Sequence, residues 1–169
     1  MTLTIRDLDP AADIDLLCSW LQKDRARFWG MVDKPREEIE EIYTWIQEQP
    51  HLAAYLVFLD GDPVALFQTW DPEVDELGTY YDRRPGDLGV HLFLADTPAR
   101  KGNTETVLTF FLESVVAKPG IRRVVVEPDA TNKPSLSRLD AYGFTRGPLV
   151  DLPHKQAQYA FLDLPRPAE

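Results

Sequence analysis

The stretch Asp87–Ala95 constrains this chain most. Leu88, Val90, Leu92 and Leu94 alternate with Gly89, His91, Phe93 and Ala95, the two-residue period of a strand whose faces meet different neighbours. The loop Asp96–Asn103 follows at once. Beyond it Val107, Leu108, Phe111, Leu112 and Val115 fall on one stripe of a helix spanning Thr104–Ala117. Ile121–Val126 is rich in β-branched residues and reads as the next strand. Strand, helix and strand in that order belong to an α/β sheet, not to a bundle or a sandwich.

The flanking sequence extends the pattern. A strand is expected at Leu3–Leu8. A helix follows at Ala11–Lys23, with Ile14, Leu17, Trp20 and Leu21 on one face. After the aromatic loop Phe28–Met31, a second helix starts near Pro35 and stops before Pro50. His51–Asp60 and Pro63–Trp70 read as strands joined by a hairpin turn at Gly61-Asp62. A polar loop covers Asp71–Pro85. Pro134–Tyr142 is a short helix stopped by Gly143, and Phe144–Val150 and Gln156–Leu164 close the series. The expected order is β-α-α-β-β-β-α-β-α-β-β in one mixed sheet. Residues 1–164 form a single domain and residues 165–169, rich in proline, a tail.

Composition narrows the function. The net charge of −10 argues against nucleic acid as a partner, and an acidic surface suits a small cationic substrate. No apolar run is long enough to span a membrane, and the first residues read as a strand and not as a leader. Cys18 is the only cysteine, so an internal disulfide is impossible. It has no basic neighbour to activate it as a nucleophile. A reducing, cytoplasmic setting is expected. The three histidines and Cys18 show no metal-ligand spacing, so no metal is expected.

Chemistry concentrates between Gly86 and Phe144. Arg100, Lys101, Gly102, Asn103 and Thr104 stand where a strand's loop opens a helix. Unpartnered N–H groups and the helix dipole there can hold a phosphate; a plain connecting loop is the alternative. His91 shares a strand face with Gly89 and Phe93 and can point into a cleft, where its ionisation suits proton transfer. A hydrogen-bonded core histidine is the other reading. Asp129 follows Pro128 just past a strand end, where ligands of open α/β sheets collect; turn-capping is its alternative role. Trp29, Trp70, Tyr80 and Tyr81 lie in or beside loops, and either wall an acceptor pocket or simply pack.

The order of elements, the loop Ala99–Thr104 and the pair Asn132-Lys-Pro-Ser135 and Gly143-Phe144 resemble the GNAT acyltransferases. Only Gly102 of the family's phosphate-loop pattern is retained, and Leu139 stands where many members carry a tyrosine acid. Several further runs look like the siderophore-biosynthesis branch, the aerobactin, alcaligin and mycobactin acyltransferases. These are Asp75–Tyr81, Gly86-Asp-Leu-Gly-Val-His91, Glu127-Pro-Asp-Ala-Thr-Asn132 and Lys155–Phe161, together with Phe28–Met31. That resemblance implies acetyl-CoA or another acyl-CoA as co-substrate and a small N-hydroxylated amine as acceptor. It implies His91 and Asp129 as the catalytic pair. Backbone groups near Leu92 and Leu94 would meet the pantetheine, Arg100–Thr104 the pyrophosphate, and Asn132 the pantetheine arm. An aminoglycoside 6′-N-acetyltransferase, whose branch usually has an acidic residue at position 91, and a noncatalytic acyl-CoA-binding domain are the alternatives. The acyl group, the individual acceptor and the oligomeric state are not legible.

Overall fold

The elements follow the expected order: β1 (Leu3–Asp7), α1 (Ile14–Leu21), α2 (Arg36–Glu48), β2 (Leu52–Leu59), β3 (Asp62–Trp70), β4 (Asp87–Leu94), α3 (Thr104–Phe111), β5 (Arg123–Val126), α4 (Lys133–Tyr142), β6 (Thr145–Asp151) and β7 (Gln156–Asp163). This computed structural model describes residues 1–165; residues 166–169, most of the expected tail, lie outside the described residues. Among the described residues the strands form a mixed seven-stranded sheet in the order β1-β2-β3-β4-β5-β7-β6. β4 and β5 are parallel, whereas β1–β2, β5–β7 and β6–β7 are antiparallel. No helix among the described residues is long and apolar enough to cross a membrane.

Contacts divide the chain into two units, Met1–Gln68 with Leu92–Val107 and Thr69–His91 with Leu108–Glu169. In the first, Leu17, Leu21, Ile39, Tyr43, Leu56 and Leu66 are buried in one apolar cluster. The face expected on α1 therefore points inward. Asp13 is also buried here, and both its oxygens take a 2.8 Å bond from Arg6. In the second unit the four residues of β5 are all buried, as are Phe111, Val115, Leu136, Leu139 and Tyr159.

Two local expectations change. The hairpin turn falls on Asp60-Gly61, one residue earlier than expected, with φ of 51° and 85°. A two-residue hairpin matching strand twist needs positive φ at both central positions, and Asp-Gly meets that need better than Gly-Asp. Asp60 is further held by Thr2, whose N–H donates to Oδ1 at 2.7 Å. The second change is at α3, which was expected to continue to Ala117. It gives way after Phe111 to one π-turn, Leu112–Val116, where Ala117 N–H reaches back to Leu112 O at 2.8 Å. The extra residue per turn rotates the chain so that Val115 and Val116 are both buried.

Candidate active site

Register on the sheet assembles the central feature of the second unit. β4 and β5 pair in parallel from Asp87↔Arg123 to Gly89↔Val125. His91 and Glu127 each lie two residues beyond the last pair, so their side chains leave the backbone on the same face. His91 Nε2 is bonded to Glu127 Oε1. The other carboxylate oxygen, Oε2, receives Lys155 Nζ at 2.7 Å, and the same ammonium donates to Glu127 O at 2.8 Å. The Glu127 side chain is 1% exposed, against 33% for His91 and 18% for Lys155. Burial pushes the Glu127 carboxyl up, but His91 and then Lys155 outweigh it and hold the group down at about 2. A buried carboxylate thus stands between an imidazole that reaches solvent and an ammonium.

Trp70 completes this face. Its indole lies on Gly89 so closely that a Cβ there would fall 1.9 Å from the ring. The Trp70 and His91 ring centres are 6.1 Å apart. Trp70 is 1% exposed, and its Nε1 has no hydrogen-bond partner among the described residues. Since the buried indole cannot swing into solvent, Gly89→Ala is expected to cost about 1–3 kcal/mol and to displace the ring beside His91. Urea melts monitored by near-ultraviolet dichroism would register both effects; an unchanged midpoint and aromatic spectrum would count against this packing.

The other expected residues occupy different places. The Asp129 carboxylate accepts from Thr131 N–H at 2.8 Å and from the Thr131 hydroxyl at 2.7 Å, and its backbone bridges to Ala157. Glu127 is the carboxylate bonded to His91, whereas Asp129 lies four residues past the last β4–β5 pair. The Asn132 side chain caps α4, accepting from Ser135 N–H at 3.3 Å. Tyr81 donates to Asp87 Oδ2 at 2.7 Å, and the same carboxylate is gripped at two points by Arg123, each at 2.8 Å. Arg123 lies over the Phe161 ring at 4.3 Å. Burial and the bond to Asp87 push the Tyr81 hydroxyl far up. Tyr80 bonds Glu76 at 3.2 Å. Leu139 is buried in α4.

In the first unit, Trp29 Nε1 donates to the Tyr43 hydroxyl at 2.9 Å, and the ring meets Phe93 edge-on at 5.7 Å. Leu92 is half-buried and Leu94 buried; Leu94 O accepts from Arg25 at 3.1 Å. Arg100 folds over its own loop, bonding Ala95 O and, at 2.8 Å, the Thr104 hydroxyl. Burial, followed by the nearby Arg25 cation, pulls its pKa down. The N–H groups of Arg100, Lys101 and Asn103 are committed within the loop. An anion there would draw on Gly102, which has φ of 78° and open space at its Cβ position, and on the first turn of α3. Among the described residues no cluster could hold a metal ion.

Sequence reasoning missed Glu127 as a partner of His91 and Lys155 as a partner of Glu127. A signal was present: Glu127 is a charged residue directly after the fully apolar Val124-Val125-Val126, and a carboxylate ending a buried run needs partners.

A protein of Acinetobacter baumannii, N-hydroxyputrescine acetyltransferase, is 26% identical over 127 residues, covering 75% of this chain and 61% of its own length. Hydroxyornithine transacylase SID3 of Ajellomyces capsulatus is 32% identical over 134 residues, 76% of this chain and 29% of its own. N(6)-hydroxylysine O-acetyltransferase of Escherichia coli is 23% identical, over 95% of this chain and 52% of its own. The chain thus spans between about a third and three fifths of these relatives. Among solved structures, an uncharacterised Bacillus halodurans protein superimposes with a TM-score of 0.87 at 20% identity, covering 95% of this chain and 83% of that one. The aminoglycoside acetyltransferase AAC(6')-Ib, solved with acetyl-CoA, has a TM-score of 0.81 at 20% identity, covering 96% and 94%; both likenesses show the fold alone. The model of the acetyltransferase (GNAT) domain matches residues 9–152, and with that match over most of its length the chain belongs to the GNAT acetyltransferase family.

Proposed function

We propose that this chain transfers an acyl group, acetyl by preference, from acyl-CoA to the hydroxylamine nitrogen of a lysine-, ornithine- or diamine-like side chain, forming a hydroxamate of the kind siderophores use to bind iron. The observation that carries the reading is the His91–Glu127 pair at the end of the β4–β5 pairing. The names of the three relatives support it, since each denotes an N-hydroxylated aliphatic amine.

In this reading β4 and the loop after it carry acyl-CoA, with backbone groups near Leu92 and Leu94 toward the pantetheine and Gly102 with the start of α3 toward the pyrophosphate. The acceptor nitrogen attacks the thioester carbonyl. The C–N bond forms, the C–S bond breaks, His91 takes the proton from nitrogen, and the CoA thiolate leaves. A hydroxylamine is already neutral near pH 7, so His91 acts once attack has made that proton acidic. Positioning of the two substrates supplies much of the rate. Transfer is direct: the sole thiol, Cys18, has its pKa raised, first of all by burial, and makes a poor nucleophile.

A thiol-release assay with acetyl-CoA tests this against N-hydroxylated lysine, ornithine, putrescine and cadaverine, their parent amines and kanamycin. Turnover of a hydroxylamine but not of its parent amine is expected. Turnover of kanamycin alone would assign the chain to aminoglycoside modification. CoA binding without turnover on any acceptor or acyl-CoA would make it a binding domain.

A further inference from the structure

The mechanism above uses His91 and leaves a half-buried cation unexplained. Lys155 precedes β7, far in sequence from both β4 and β5. Its ammonium is nonetheless fixed by two bonds to Glu127, at 2.7 Å to Oε2 and 2.8 Å to the main-chain oxygen. A carboxylate paired with one imidazole favours the imidazolium, the form unable to accept a proton. With Lys155 on the other oxygen, the trio is neutral when His91 is neutral and carries +1 when it is charged. Without Lys155 those charges become −1 and 0. A site with a 1%-exposed carboxylate disfavours net charge, so Lys155 biases His91 toward the neutral ring. Glu127 accepting at Nε2 retains the proton there, which leaves the basic lone pair on Nδ1.

We propose that Lys155 and Glu127 are positioning residues: acting through Glu127, Lys155 holds His91 in its neutral, Nε2-protonated form and sets the pH range over which it can accept a proton. This inference rests on the reading of His91 as the base. Other ionisable groups facing the trio are Tyr159 on β7 and Asp129. The Tyr159 hydroxyl is raised by burial and then by Glu127, and it donates to Leu77 O at 2.9 Å. Asp129 feels Lys155. Neither stands between Glu127 and His91 or Lys155 in the bond network.

The test is the pH dependence of Lys155→Met, read in two ways. One is the titration of the His91 imidazole by nuclear magnetic resonance, its signal identified by loss in His91→Gln. The other is the acid limb of kcat/KM on the hydroxylamine turned over by the native protein. Lys155→Met should move both upward by about one pH unit, and Glu127→Gln should move both downward. Lys155→Arg, which keeps the charge, should restore the native midpoint. If Lys155→Met folds poorly, Lys155→Gln carries the same test. An imidazole midpoint unmoved by loss of the cation, with only thermal stability reduced, would overturn the proposal and make Lys155 a packing residue. Because the imidazole titrates without turnover, that signal decides the electrostatic role of Lys155 separately. A moved midpoint in a protein inactive on every hydroxylamine would sustain it while the proposed reaction fails.

Discussion

Glu127→Gln should lower the unfolding free energy at pH 7 by about 3 kcal/mol, and the deficit should close as the pH falls from about 4.5 toward 2. The Glu127 carboxyl is held at about 2 in the folded protein against a usual 4.5. At about 1.4 kcal/mol for each pH unit, that difference corresponds to the stated loss. The sign follows from the depressed pKa. The stabilisation is fully present above 4.5, where both folded and unfolded chains are ionised. It declines as the pH falls from 4.5, where protons bind the unfolded chain and not the folded one, and is gone once the pH has dropped through the folded value of about 2. The amide keeps the shape of the carboxyl but leaves Lys155 paired with a dipole in place of a charge, and breaking one side of a buried ion pair costs about 3–5 kcal/mol. Urea melts across this pH range for native and variant proteins would measure it. Two stability curves that run parallel from pH 7 to pH 2 would mean that the carboxylate draws nothing from His91 and Lys155.

The sequence made the strand–loop–helix core legible because period and composition are local: β4 alternates, α3 carries a stripe, and β5 is β-branched. The stop signal at Gly143 was legible for the same reason, and Gly143 takes φ of 106° where the helix stops. What escaped depends on partners distant in the chain. His91 and Glu127 are 36 residues apart and Glu127 and Lys155 are 28 apart; only the β4–β5 register, with β7 lying antiparallel beside β5, brings the three together. The local signal at Glu127, a charge directly after an apolar run, does not say which distant residues pair with it, and the family resemblance drew attention to Asp129. The π-turn after Phe111 escaped similarly, since one added residue in a helix leaves the apolar stripe readable. Tyr81 and Trp29 read as possible pocket walls, but what the structure adds for them is a bonded partner each: Asp87 for the first, Tyr43 for the second.

His91→Ala should reduce kcat/KM on the hydroxylamine acceptor by about 10²–10⁴-fold, the range for loss of a positioned acid–base group. The loss should fall mainly on kcat. A neutral hydroxylamine can bind without a base, and its nitrogen proton becomes acidic only after attack on the thioester. Added imidazole should restore part of the rate if the ring's work is proton transfer and not only shape. Asp129→Ala makes the informative contrast, because the Asp129 carboxylate is engaged by Thr131. A raised KM with kcat preserved would place Asp129 on the acceptor, and unchanged kinetics would leave it a turn residue. If both variants retain full kcat/KM, the assignment of the base is wrong. Loss in His91→Ala alone would instead locate the proton-handling chemistry in the His91–Glu127–Lys155 trio, where one buried carboxylate fixes the ring and one ammonium keeps that ring a base.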